Sequence, residues 1–149
     1  MNNKIKTNRL IKGIIKAIEK FELSLRDKVV LTEAATGNYV VTPVIAAVTG
    51  AKKVYAFTKD SCYGSVEGVK KQTYSLAKIL GVVRKIFIIT SFESVDFKSV
   101  DIVMNTGFLR PITRELISKL PSKSVIPLMY EPWEFREGES DLEACCEKK

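Results

Sequence analysis

Five short apolar runs punctuate this chain, most of them far enough apart to leave room for a helix in between. They occupy residues 28–33 (KVVLTE), 53–58 (KVYAFT), 85–90 (KIFIIT), 101–105 (DIVMN) and 124–129 (SVIPLM). Near-continuous Val, Ile and Leu, in place of an apolar–polar alternation, is the pattern of strands covered on both faces, and such strands belong to parallel sheets wrapped in helices. The segments between the runs carry the helical period. Leu10, Ile11, Ile14, Ile15, Ile18 and Phe21 predict an amphipathic helix over about 8–22, capped at Thr7 or Asn8, with lysines on the opposite face. A second apolar segment spans 40–48 and is closed by Gly50, although Thr42-Pro43 reads as a cap and first-turn pair that would delay the helix to Thr42. Residues 65–80, with Val66, Val69, Thr73, Leu76, Ala77 and Leu80 on one side and Gly81 at the end, predict a third helix.

The later segments are less regular. Residues 91–100 form a polar connector with room for one turn, 111–120 predict a helix with Pro111 in its first turn, and 140–148 predict a short acidic helix. Pro127 lies inside the fifth run and demotes it to an edge strand or a bulge. The expected fold class is therefore α/β, a doubly wound, mainly parallel, Rossmann-like sheet of about five strands with flanking helices. A length of 149 residues suits one domain, divided into an N-terminal amphipathic helix (1–24) and a nucleotide-binding-type core (25–149).

Composition narrows the setting. Hydrophobic residues make up 46% and charged residues 28%, as in ordinary globular chains, and no apolar stretch reaches the length of a membrane span. The start lacks the apolar core of a signal peptide, so a cytoplasmic protein with no membrane partner is expected. Cys62, Cys145 and Cys146 give neither a disulfide framework nor a zinc site, since two are adjacent and the chain has no histidine. Cys62 follows a strand and is either a reactive thiol or an idle one. The net charge of +7 is uneven: Lys4, Lys6, Arg9, Lys12, Lys16 and Lys20 crowd the first helix, while Glu131, Glu134, Glu137, Glu139, Asp141, Glu143 and Glu147 crowd the tail. A basic helix with no aromatic platform beside it reads as a solvated face, and nucleic acid is disfavoured as a partner.

In open parallel sheets, ligands collect beyond the carboxyl ends of the strands where the strand order reverses. The loop after the first strand (Ala34–Tyr39) is where a phosphate cradle belongs, yet it holds only Gly37, flanked by Thr36 and Asn38, which either donate to an anion or cap a helix. After the second strand come Thr58 and Lys59, with Asp60 next. Hydroxyl and basic residues there suit the phosphorylated ribose of NADP, an acid suits NAD, and a solvated turn is the plain alternative. After the fourth strand, Asn105, Thr106 and Gly107 can bring backbone and a hydroxyl close to a ribose, while Gly107 serves equally as a turn residue. Arg110 can pair with a phosphate or a carboxylate. Glu131, Trp133 and Glu134 follow the fifth strand.

Residues 101–126, DIVMNTGFLRPITRELISKLPSKSVI, resemble the second half of the NAD domain of S-adenosylhomocysteine hydrolase and its relatives, the D-2-hydroxyacid and alanine dehydrogenases, with their D-I-V-x-x-T-G strand and I-T-x-E-x-L helix. Residues 25–30 resemble that family's lead-in to its first strand, and 131–144 its acidic continuation. The resemblance implies NAD or NADP as cofactor, with Asn105, Thr106 and Gly107 at the nicotinamide-side ribose, Thr36, Gly37 and Asn38 near the pyrophosphate, and Thr58 and Lys59 near the adenine ribose. Counted back without gaps from Gly50, however, the family's three loop glycines fall on Ala34, Thr36 and Tyr39, and its ribose acid falls near Thr58. The family's substrate domain, last strand and return helix have no counterpart here. The chain is thus expected to be an NAD(P)-binding-type domain of a dehydrogenase-like protein, incomplete as an active site by itself, with a small-molecule nucleotide as ligand and a homo-oligomer or a missing substrate domain as its complement. The alternative is a non-catalytic module for a small ligand or nucleotide, or a subunit completed by a partner. Without histidine, Lys59, Glu33, Glu131 and Cys62 are the groups able to act as acid or base if their surroundings shift them.

Overall fold

A computed structural model describes residues 2–128, 136 and 138–148. Helix α1 (Asn2–Lys20) leads into strand β1 (Val29–Glu33), a 3₁₀ turn (Gly37–Val41), α2 (Thr42–Val48), β2 (Lys53–Phe57) and α3 (Val66–Ile79). Strand β3 (Ile86–Ile89), β4 (Ile102–Val103), α4 (Arg114–Lys119) and α5 (Leu142–Glu147) follow. The fold is α/β. Among the described residues four strands, all parallel, lie in the order β3-β2-β1-β4.

Alternation of side chains along β1 and β2 sorts the core into two faces. Val30, Val54 and Ala56 pack with Val44 and Ala47 of α2, Val69, Leu76 and Ala77 of α3, and Ile14 of α1. Val29, Leu31, Tyr55 and Val103 pack on the other side with Leu116 and Ile117 of α4 and Ala144 of α5. The sheet is therefore doubly wound. Each fully buried Val or Leu contributes about 1.5–3 kcal/mol, and β1, sealed along its whole length, is the densest source of such contacts.

Local signals set the helix ends. The Ser65 hydroxyl accepts from Gly68 N–H at 3.2 Å, and the Asp60 carboxylate accepts from Val66 N–H at 2.8 Å, so two orphan donors at the start of α3 are satisfied. Thr113 caps α4 and Asp141 caps α5 in the same way. Arg114 pairs with Asp141, Glu143 and Glu147, and Lys148 donates to the Ile117 and Ser118 carbonyls at the end of α4. The two short helices are thereby tied at both ends.

Several expectations are corrected. The fifth strand is reduced to one parallel bridge, Ile102↔Val125, because Pro127 has no N–H with which to continue the ladder. Pro111 lies outside α4: the Arg110–Pro111 bond is cis, and Ile112 bridges to Ser140 before the helix starts at Arg114. Helix α1 begins at Asn2, earlier than the cap at Thr7 or Asn8 implied. Among its described side chains, Ile11, Ile14 and Ile18 face the core, while Leu10, Ile15 and the following Phe21 are exposed. As Thr42-Pro43 foretold, α2 starts at Thr42, and the connector before β4 holds a single 3₁₀ turn, Phe97–Ser99. No helix among the described residues is long and apolar enough to cross a membrane.

Strand β4 is short, and its register is fixed by a side chain. Asp101 Oδ2 accepts from Val29 N–H at 2.9 Å while Asp101 N–H donates to the Val29 carbonyl at 2.9 Å. Asp101→Ala should lower the unfolding free energy by about 1–3 kcal/mol, because the buried Val29 N–H loses its acceptor. Asp101→Asn, which keeps an oxygen there, should cost less. Urea denaturation of the two variants measures the difference.

Candidate functional site

Strand β2 lies on one side of β1 and β4 on the other, so the chain leaving β1 and the chain leaving β4 part at the carboxyl edge of the sheet. A cavity of about 780 Å³ opens there. Glu33, Ala35, Thr36, Gly37, Asn38 and Tyr39 line it from the end of β1, Lys59, Ser61 and Tyr63 from beyond β2, and Asn105 to Phe108 with Arg110 from beyond β4. Val69 of α3 completes the wall. The volume falls within the ordinary range for small-molecule sites.

Seven of the eight residues singled out from sequence meet on this cavity: Thr36, Gly37, Asn38, Lys59, Asn105, Thr106 and Gly107. Thr58 does not. It is wholly buried, its N–H donates to the Ile89 carbonyl at 2.9 Å, and it extends the β2–β3 ladder by one residue. A residue at the last position of a buried run is still inside the sheet. Lys59, the next residue, lines the cavity, and its exposed ammonium stands 5.5 Å from the centre of the Phe108 ring.

In the first loop, Gly37 opens the 3₁₀ turn at φ +65°, a conformation that side chains other than glycine's rarely adopt. Thr36 precedes that turn but caps nothing; its hydroxyl donates to the Tyr63 carbonyl at 3.3 Å. Asn38 is exposed and has no hydrogen-bond partner among the described residues. Tyr39 stands 61% exposed at the cavity, so its ring does not wedge helix from strand, and Tyr63 stands across from it in the other loop at 82%.

The loop after β4 is tied internally. Arg110 Nε donates to Asn105 Oδ1 at 2.9 Å, Arg110 Nη2 donates to the Asn105 carbonyl at 3.1 Å, and Arg110 Nη1 lies 3.4 Å from the Glu139 carboxylate. The sequence left Arg110 a choice of phosphate or carboxylate, and here it pairs with a carboxylate. Asn105 is 1% exposed, and its Nδ2 is buried with no partner among the described residues. The Thr106 carbonyl accepts from Leu109 and Arg110 N–H groups, which turns the chain over Gly107.

Glu33 is the one charged side chain buried among the described residues. Its Oε2 accepts from Phe108 N–H at 2.7 Å and so staples the end of β1 to the loop beyond β4. The sequence offered it only as a conditional acid or base. A carboxylate ending an otherwise apolar run was the available sign of a buried, partnered acid. Ser61, Tyr63 and Phe108 carried no comparable signal. Cys62 is exposed but does not line the cavity, and burial pushes the Cys145 thiol up. Glu131, Trp133, Glu134 and Glu137 lie outside the described residues.

Compared with protein-family models and with curated proteins, the sequence matches none. The strand order is compatible with a Rossmann-like fold.

The two loops lock through a close approach: a Cβ on Gly64 would lie 2.7 Å from the Thr36 methyl. Gly64→Ala should therefore cost about 1 kcal/mol by displacing Thr36 from the Tyr63 carbonyl. Adding Thr36→Ser, which removes the methyl and keeps the hydroxyl, should restore most of the loss in a denaturation cycle.

Proposed function

We propose that the chain is a nucleotide-binding module of the NAD(P)-dependent dehydrogenase type, with the cofactor in the crevice between the β1 and β4 loops and without a complete active site of its own. The observation that carries this reading is the convergence of three loops, from β1, β2 and β4, on one cavity at the point where strand order reverses. In such proteins the cofactor supplies hydride transfer, and the protein supplies binding and orientation. On this reading Lys59 and Asn38, which line the cavity, hold polar parts of the ligand, and the exposed Tyr39 and Tyr63 offer ring faces to it. The Asp60 carboxylate, which would favour NAD, accepts from Val66 N–H through Oδ1 and does not line the cavity. Lys59 is left as the charged neighbour of a ribose, which favours NADP.

One observation favours a second reading, a small nucleoside-type ligand in place of a dinucleotide. The first loop has a single glycine, and the buried Glu33 carboxylate stands beside it, a poor setting for a pyrophosphate.

Thermal-shift measurements against NAD, NADP, S-adenosylmethionine and ATP separate the two. A ligand at a hundred times its Kd stabilises by about 2.7 kcal/mol, which raises the Tm of a chain this size by several degrees. NADP should shift Tm more than NAD, and Lys59→Ala should remove that difference. Stabilisation by S-adenosylmethionine or ATP alone would favour the second reading, and no shift with any of the four would refute the nucleotide assignment.

A further inference from the structure

The cavity floor carries a carboxylate that is only half satisfied. Glu33 is 4% exposed, its Oε2 is taken by Phe108 N–H, and its Oε1 has no hydrogen-bond partner among the described residues. It forms no ion pair among them either: Lys59 stands over the Phe108 ring, and Arg110 is engaged by Asn105 and Glu139. A carboxylate accepts and cannot donate, and Oε1, which is not sealed from solvent, is open to a donor from the cavity that Glu33 lines. On the same cavity wall, Asn105 keeps a buried Nδ2 donor without a partner.

From these groups we infer that Glu33 selects the ligand by accepting hydrogen bonds from the vicinal hydroxyls of a ribose, so that sugar, and not phosphate, lies against the end of β1. This rests on the nucleotide reading and specifies which part of the nucleotide meets this floor. A hydroxyl carries a proton to donate, so it complements the free Oε1. A phosphate offers only acceptors and a second negative charge, which the Glu33 carboxylate repels. The phosphates are then left to the side of the crevice that carries Lys59, away from the first loop with its lone Gly37.

Calorimetric titration of the full chain with adenosine, 2′,3′-dideoxyadenosine, NADP and inorganic pyrophosphate tests this, in the wild type and in Glu33→Gln. The glutamine keeps an oxygen for Phe108 N–H but turns the free acceptor into a donor. Wild-type protein should bind adenosine about tenfold or more tightly than the dideoxy analogue, since a hydrogen bond to a charged group is lost. Glu33→Gln should lose a similar factor for adenosine and gain affinity for pyrophosphate, a reversal that a purely structural clamp would not produce. If wild-type protein binds NADP or adenosine, yet the dideoxy analogue binds equally or Glu33→Gln leaves the affinities unchanged, the inference fails and the nucleotide reading stands. If neither NADP nor adenosine binds the wild type, both fall. Should Glu33→Gln not fold, the comparison of adenosine with its dideoxy analogue in the wild type still decides.

Discussion

Strand β1 hydrogen-bonds to β2 along one edge and to β4 along the other, with both of its faces sealed by helices. A strand in that position has no solvent to turn to, so every backbone group along it must find a partner in a neighbouring strand. Because β2 and β4 flank it, the chain segments that follow β1 and β4 diverge, and the gap between them becomes the cavity. The same strand ends in Glu33, which bridges the gap through Phe108 N–H. Sheet centre, crevice and crevice floor are thus consequences of one placement.

The outer parts of the fold hold that placement from both sides. On one face α2 and α3 are joined by α1, which among its described side chains contributes Ile11, Ile14 and Ile18 and leaves Arg9, Lys12, Lys16 and Lys20 in solvent. On the other face α4 and α5 have six residues each, too short to be stable alone. Their persistence depends on Leu116, Ile117 and Ala144 in the core, on capping by Thr113 and Asp141, and on the Arg114 and Lys148 links between them. Individually such exposed ion pairs contribute little, but they share one arginine and close the same pair of helices.

Much of this was legible in the sequence for a physical reason. The runs VVLTE, KVYAF and IFII are buried on both faces, so burial leaves its mark on every residue, and Ser65, Gly50 and Gly81 mark helix ends by chemistry local to the chain. What was illegible depended on partners distant in sequence. The extent of β4 is set by Asp101 meeting Val29, and among its described residues the fifth run pairs at Val125 alone. For the site, the sequence identified the right loops, because strand ends can be read directly. It could not show that Thr58 remains inside the ladder, that Thr36 turns to Tyr63 instead of a helix end, or that Glu33 reaches a residue 75 positions away.

The strand order also imposes a sequence of events on synthesis. Residues 29–89 contain β1, β2 and β3, and they leave the ribosome before Asp101 does. Until β4 arrives, the outer edge of β1 carries the Val29 N–H and the Val29 and Leu31 carbonyls without their later partners, an open template for any passing strand. The crevice is completed later still, when residues 105–110 emerge. A nascent chain therefore holds a nearly finished sheet with no ligand site to stabilise it, and its most vulnerable edge is the one that the site will eventually border.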